Sequence, residues 1–273
     1  MPDIALRLEG VSHTFHAGTP NEVRALDAVD LELYRGSFVV VLGGNGSGKS
    51  SLLGAIAGSL AISSGRVLID GRDVTRWPAE RRARSIGRVF QDPFMGTAPE
   101  LTVAENLTVA ARRGSSRGLR RALDPARRAV IRERVARLGM RLEDRLDTPI
   151  AGLSGGQRQA LTVLMATMVR PSLLLLDEHT AALDTRSAEV VSRLTRETVA
   201  ESGLTTLMVI HSMAQAVQFG DRVLVMHRGR VAYDLTDVRR RLAEADLLRL
   251  FDQLRWDDRL DESTAAMLGR AYV

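Results

Sequence analysis

The chain predicts an α/β fold: a parallel sheet flanked by helices, preceded by antiparallel strands and interrupted by an inserted helical lobe. Three observations carry this. Phe38–Leu42 is a continuous apolar run with three consecutive valines, the pattern of a strand buried on both faces of a parallel sheet. It ends in Gly43-Gly44-Asn45-Gly46-Ser47-Gly48-Lys49-Ser50 and runs into a helical stretch over Ser50–Ala57, a strand–glycine loop–helix order. Further apolar strands at Leu173–Leu176, Thr206–Ile210 and Arg222–Met226 alternate with helical patterns at Gln157–Val169 and Thr185–Glu201. Such alternation builds a parallel core.

Taken in order, Ala5–Leu8, Leu31–Leu33 and Arg66–Ile69 mix apolar with polar residues, as half-buried antiparallel strands do. Ile86–Phe90 is another strand, ending at Gln91. From Val103 to Gly139 the period turns helical, breaks at Gly114–Gly118, and restarts after Asp124-Pro125, an N-cap followed by a first-turn proline. Leu247, Leu250, Phe251 and Leu254 form an i, i+3, i+4, i+7 stripe, which predicts a short amphipathic helix packed on the domain. No internal repeat is visible.

At 273 residues the chain suits one large domain or a domain with a smaller lobe. No cysteine is present, which excludes a disulfide framework and a Cys-ligated metal and points to a reducing, cytosolic location. No apolar run approaches the length that spans a bilayer, and the N-terminus lacks a signal-peptide core. The net charge is +5, concentrated at Arg72 to Arg88 and Arg112 to Arg137. Acidic residues punctuate both regions and no aromatic residues are spaced for base stacking. They read as solvated helical faces, with a membrane-proximal surface as the second reading; no nucleic-acid partner is expected.

The chemistry begins at Lys49, the only lysine among 38 basic residues. It lies in a full match to GxxxxGK[ST]. Glycines let the backbone N–H groups wrap a polyphosphate, and the next helix presents its positive end. Lys49 suits β- and γ-phosphate oxygens, where a compact ammonium fits better than a guanidinium; the Ser50 hydroxyl, with Ser51 beside it, suits Mg²⁺. The second piece is Leu173-Leu174-Leu175-Leu176-Asp177-Glu178, a buried strand that delivers two carboxylates to the sheet's C-terminal edge. Asp177 suits the Mg²⁺ site and Glu178 the polarisation of an attacking water.

The third piece is Leu153-Ser154-Gly155-Gly156-Gln157 ahead of a helix. Here the chain resembles the ATP-binding subunits of ABC transporters, whose signature this is. In family order it carries the phosphate loop at 43–50, a loop glutamine at Gln91, the signature, the carboxylate strand, Ala181-Ala182-Leu183-Asp184 resembling the D-loop, and His211 resembling the switch histidine. The resemblance covers about residues 4–235. It implies a phosphate-loop NTPase (RecA-like) core with an N-terminal antiparallel β subdomain and an α-helical subdomain at about 92–157. Residues 236–273 would be a short helical extension.

It also implies ATP and Mg²⁺ as ligands, with Gln91 sensing the metal and the attacking water, and His211 contacting the γ-phosphate. Ser154, Gly155, Gly156 and Gln157 would form an anion site for the nucleotide held by an opposite subunit, with Asp184 at the same seam. The expected partners are a second cassette across ATP, as a homodimer or pseudo-dimer, and separately encoded transmembrane permeases. An extracytoplasmic solute-binding protein is expected in the same system. Placement would be peripheral, on the cytoplasmic face of the membrane.

Two positions depart from the family. The residue after Asp-Glu is commonly proline and here is His179; Asp-Glu-His-Thr resembles a bacterial branch of import-system ATPases, some linked to aromatic amino acid uptake. The adenine-stacking position, often tyrosine, is best matched by Phe15. Phe94 and Met95, in the stretch beside the groove that receives a permease's coupling helix, read either as that surface or as core. The resulting expectation is the ATP-hydrolysing motor of a small-solute importer. An exporter motor, a soluble non-transport ABC ATPase and a nucleotide sensor with negligible hydrolysis are the alternatives.

Overall fold

In a computed structural model, which describes residues 3–115, 123–238 and 243–254, two sheets share one body. Strands β1 (Ile4–Phe15), β2 (Val23–Tyr34), β4 (Ser64–Ile69) and β5 (Arg72–Asp73) form an antiparallel sheet in the order β2-β1-β4-β5. The second sheet runs β10-β9-β3-β8-β7-β6, from β3 (Phe38–Gly43), β6 (Ile86–Val89), β7 (Leu173–Asp177), β8 (Thr206–Val209), β9 (Arg222–His227) and β10 (Arg230–Thr236). Its pairings from β9 to β6 are parallel, and β10 adds antiparallel at one edge. Because β3, β8, β7 and β6 are neighbours pointing the same way, whatever follows each of them meets at one edge. That is where open parallel sheets bind ligands.

Helix α1 (Lys49–Ala57) follows β3 directly and is buried along most of its length. Its far end is closed by Arg82, the last residue of the short α2 (Ala79–Arg82). The Arg82 guanidinium is almost fully buried and donates to the carbonyls of Ala55, Ile56, Thr75 and Trp77 at 2.7–3.0 Å. Four carbonyls thus satisfy a cation that has lost its water, and the helix C-terminus favours positive charge.

Between β6 and β7 the chain builds the helical lobe: α3 (Val103–Ala111), α4 (Pro125–Ala136) and the start of α5 (Gly155–Thr167). A capping box closes α3, with Thr102 and Glu105 reciprocally bonded. Asp124 caps α4 through Arg127 N, with Pro125 in the first turn, as its sequence predicts. The predicted break at Gly114–Gly118 falls partly outside the described residues. Arg113 anchors the lobe to the core, donating to the carbonyls of Ala166 (3.0 Å) and Val169 at the end of α5.

Helix α6 (Thr185–Ser202) and α7 (Met213–Phe219) complete the second face of the sheet. A helix over 244–254 packs there too, with Leu247 buried and Leu250, Phe251 and Leu254 partly so. The remainder of the expected C-terminal extension, 255–273, lies outside the described residues.

Candidate nucleotide site at the carboxyl edge of the sheet

Four strand ends deliver the site. After β3 the loop Gly43–Gly48 turns back on itself, with Gly46 at φ 76° and Gly48 at φ 103°. The glycines are there for space as well as conformation. A Cβ on Gly48 would lie 2.4 Å from the Ala25 carbonyl oxygen, and one on Gly43 would lie 2.4 Å from Ser47 Oγ. At Gly44 and Gly46 a Cβ would meet nothing within 4 Å, so the loop's outer side is open. Gly48 is the N-cap of α1 and supplies no side-chain cap, leaving the helix's first N–H groups for a ligand.

Lys49 is nearly buried, and its Nζ donates to the Gly43 and Gly44 carbonyls, both at 2.9 Å. Burial lowers its pKa, while Glu178 and then Asp177 oppose that shift. Ser47 Oγ is buried with no hydrogen-bond partner, an orphan of the kind a bound ligand oxygen satisfies. Ser50 is exposed and Ser51 half-buried.

Asp177 ends β7, half-buried, and burial raises its pKa, with Arg88 pulling the other way. Glu178 follows at φ 44°, a left-handed conformation that costs a non-glycine residue energy and is held by its N–H bonded to the Val209 carbonyl (3.0 Å). This turn aims the Glu178 carboxylate at His211, which follows β8: Nε2 lies 2.6 Å from Oε1. Gln91, after β6, is exposed in a bend. The buried Gln159 of α5 donates to the adjacent Phe90 carbonyl (3.1 Å). That link between α5 and the Gln91 loop was not legible in the sequence.

His179 is fully buried. Its Nε2 lies 3.1 Å from Thr195 Oγ1, whose hydroxyl donates to the Val191 carbonyl (2.9 Å). The hydroxyl proton is therefore committed, so Nε2 carries the imidazole proton and donates, and Nδ1 is left without a partner. Burial lowers the His179 pKa to about 4. The residue replaces a proline of the family pattern with a tie between the carboxylate strand and α6.

Phe15 is partly exposed and meets His13 edge-on, ring centroids 4.5 Å apart. It pairs with Val23, two residues before Ala25, whose carbonyl oxygen lies where a Cβ on Gly48 would fall. A cavity of about 410 Å³ opens between the loop residues Gly43–Ser47, His211, Met213 and the helix residues Phe251 and Leu254.

The Ser154 turn belongs to the inserted lobe. Ser154 is exposed and caps α5, reciprocally bonded with Gln157. Gly156 packs so closely on Ser187 that a Cβ would lie 2.8 Å away, and Gly155 faces Leu183. Asp184 caps α6 through Ser187 N (3.0 Å), and hydrogen bonding from the Ser187 side chain and then its backbone N–H lowers the Asp184 pKa. The structure thus gathers Lys49, Asp177, Glu178 and His211 at one edge, and places the Ser154 turn against the Asp184 segment. Phe94 and Met95 are exposed, Met95 by 69 %. The core alternative for these two is therefore wrong: Phe94 lies under the Arg158 guanidinium, 4.2 Å from its ring centroid, rather than inside.

This fold and edge define a phosphate-loop nucleoside triphosphatase. The family model described as ABC transporter matches residues 26–181. The tyrosine transport ATP-binding protein of Clostridioides difficile is 38% identical over 234 residues, 85% of this chain and 92% of that protein. The lipoprotein-releasing system ATP-binding protein LolD 1 of Caulobacter vibrioides is 37% identical, covering 85% of this chain and 96% of its own. Among solved structures, the ATP-binding cassette MJ0796, dimeric in a post-hydrolysis state bound to ADP and Pi, superposes with a TM-score of 0.73 at 28% identity, over 85% of this chain and 98% of that one. The chain belongs to the ABC transporter family, as an ATP-binding and ATP-hydrolysing subunit.

Proposed function

We propose that the chain drives solute import as one half of a nucleotide-bridged pair, using Glu178 to polarise the attacking water. The observation that carries the site assignment is the convergence of Lys49, Asp177, Glu178 and His211 on one sheet edge, with His211 and Glu178 already bonded. The open sides of Gly44 and Gly46, the orphaned Ser47 hydroxyl and the uncapped α1 suit a polyphosphate. Lys49 would exchange its two loop carbonyls for β- and γ-phosphate oxygens, a stronger charge-assisted pairing. Ser50 and Asp177 would hold Mg²⁺ with phosphate oxygens and water. That oxygen donor set with a single carboxylate is the usual one for this ion at a nucleotide. When bound, the metal neutralises charge building on the transferring phosphoryl group.

Glu178 would orient water in line with the γ-phosphate, and His211 would fix the Glu178 carboxylate while its own exposed edge meets that phosphate. Gln91 would sense the metal from the loop that Gln159 ties to α5. Phe15 would stack the adenine. The Ser154–Gln157 turn, with Asp184 beside it, would serve the nucleotide held by the opposite subunit. On this reading residues 4–235 are the cassette, with the helical lobe at about 92–157. The exposed Phe94 and Met95 belong to the surface that receives a permease.

Among the described residues no helix is long and apolar enough to cross a membrane; separate spanning subunits are supported by the relatives named as ATP-binding proteins of transport systems. Import of a small solute of amino acid type is supported by the relative named for tyrosine transport and by the Asp-Glu-His-Thr run; it brings with it an extracytoplasmic binding protein and attachment to the cytoplasmic face. The lipoprotein-releasing relative favours the second reading, an export-type motor. The site is tested by Glu178→Gln, which should keep ATP binding and slow hydrolysis by about 10³-fold, within the range of a lost general base. Hydrolysis at the parent rate would remove Glu178 from that role. Vesicles holding the chain with its permeases decide direction: ATP supplied on the cassette side should move solute toward that side.

A further inference from the structure

Arg88 is a cation in a strand that is otherwise apolar or glycine. It aligns with Leu175 in the parallel β6–β7 pairing, so by the two-residue period Arg88, Phe90, Leu175 and Asp177 share one face of the sheet. On that face its guanidinium reaches the Asp177 carboxylate, NH2 to Oδ2 at 3.6 Å, and both side chains are largely withdrawn from water. Two further contacts fix it. NH1 donates to Ser59 Oγ (3.0 Å), just past α1, and the guanidinium carbon lies 4.5 Å from the Phe90 ring centroid. Its Nε is buried without a partner. Such a residue is costly to keep unless its charge is used.

We infer that Arg88 is a resident counter-charge for Asp177, a positioning residue that stabilises the carboxylate when no metal is present and weakens the hold on Mg²⁺ when one is. This rests on the reading of Asp177 as a Mg²⁺ ligand. The physical reasoning is a competition. A desolvated carboxylate demands a cation, and Arg88 supplies one from the neighbouring strand on the same face of the sheet. A divalent ion then arriving at the same carboxylate is repelled by a fixed positive charge a few ångströms off. Its affinity drops, and its release after hydrolysis is eased. Because Arg88 stacks on Phe90, next to Gln91, the counter-charge is carried by the strand that leads into the Gln91 loop.

The experiment uses the full chain carrying Glu178→Gln, to silence hydrolysis, and a fluorescent ATP analogue whose binding is followed as Mg²⁺ is titrated. Replacing Arg88 by Met, which keeps the bulk and removes the charge, should lower the half-saturating Mg²⁺ concentration roughly fivefold to tenfold, as expected for loss of a unit charge near a divalent ion in a partly screened site. Arg88→Gln, which keeps a donor for Ser59, should do the same and guards against a Met variant that fails to fold. Arg88→Lys, which gives up the stacking on Phe90 but keeps the unit charge, should stay within about twofold of the parent in Mg²⁺ midpoint. A merely structural role would raise the Mg²⁺ requirement or leave it alone, and either result in both neutral variants overturns the inference. Asp177→Asn separates the two readings. If it abolishes the Mg²⁺-dependent gain in binding while the neutral Arg88 variants leave the midpoint unmoved, only the counter-charge falls. If Asp177→Asn leaves the gain intact, the metal reading falls and the counter-charge with it.

Discussion

The carboxyl edge of the sheet and the Ser154 turn are both built from glycines, hydroxyls and a helix N-terminus, yet they are finished to different degrees. At the edge the functional groups are bonded to one another: Lys49 to the loop carbonyls, Glu178 to His211, Asp177 near Arg88. At the turn, the Ser154 side chain bonds only Gln157 of its own helix start and faces solvent, while Gln157 also reaches the Met140 carbonyl (3.4 Å) and Arg145 (3.5 Å) inside the lobe. A site whose charges lie out of water needs its partners in the same chain, since an unpaired buried charge is expensive. A surface turn can wait for a ligand carried by another molecule, because water satisfies it meanwhile. That contrast is what the proposed assembly of two half-sites requires.

The comparison breaks most sharply at Lys49. Lys49→Ala removes two or more charge-assisted bonds to phosphate, about 4 kcal/mol, so nucleotide affinity should drop by several hundredfold. Equilibrium binding of ATP measures it, and an affinity within threefold of the parent would empty the edge of its proposed role. Next comes Arg82, which touches no ligand but closes α1. Arg82→Met strands four carbonyls now paired with it, and should cost about 3 kcal/mol in denaturant unfolding. The turn should respond more gently. Ser154→Ala should slow hydrolysis about tenfold, while nucleotide affinity of the isolated chain stays within twofold, since the serine serves a nucleotide it does not hold.

At neutral pH the smallest expected effect sits at His179, and it emerges only on acidification. Its folded pKa of about 4 lies below the ordinary 6.5, so the unfolded chain takes up a proton first. Stability is therefore fully present above pH 6.5 and declines as pH falls toward 4, with a loss of about 2 kcal/mol by pH 5. His179→Gln should flatten that part of the stability–pH curve. A slope unchanged by the substitution would place the acid sensitivity elsewhere.

Most of the edge was legible in the sequence because each part is a local word: a glycine loop after a valine run, two acids after four leucines, a histidine after a strand. The parallel strands were legible for the same reason, being continuously apolar. The antiparallel pair was not read at full length. β1 and β2 run twelve residues each, but register shifts at Leu8/Val11, Val11/His13 and His13/Thr14 break the alternation that marks a strand. β10, exposed at every second residue, and the seven-residue α7 carry too weak a pattern to be found alone. What the sequence could not show is pairing at a distance. Arg88 meets Asp177, and Gln159 meets Phe90, only because a sheet brings β6 beside β7 and α5 over both. His179 stood out as a departure from proline, but its reason, the Thr195 hydroxyl, lies a helix away.

The central claim is that the Ser154 turn of one chain completes the nucleotide site of another. It is tested most directly by the sedimentation mass of the Glu178→Gln protein with Mg-ATP, alone and with Ser154→Arg added. The account predicts the mass of two chains for Glu178→Gln and of one chain for the double variant, whose arginine would obstruct the shared seam. A single-chain mass for Glu178→Gln at every ATP concentration, or a pair that forms equally well with Ser154→Arg, would contradict it.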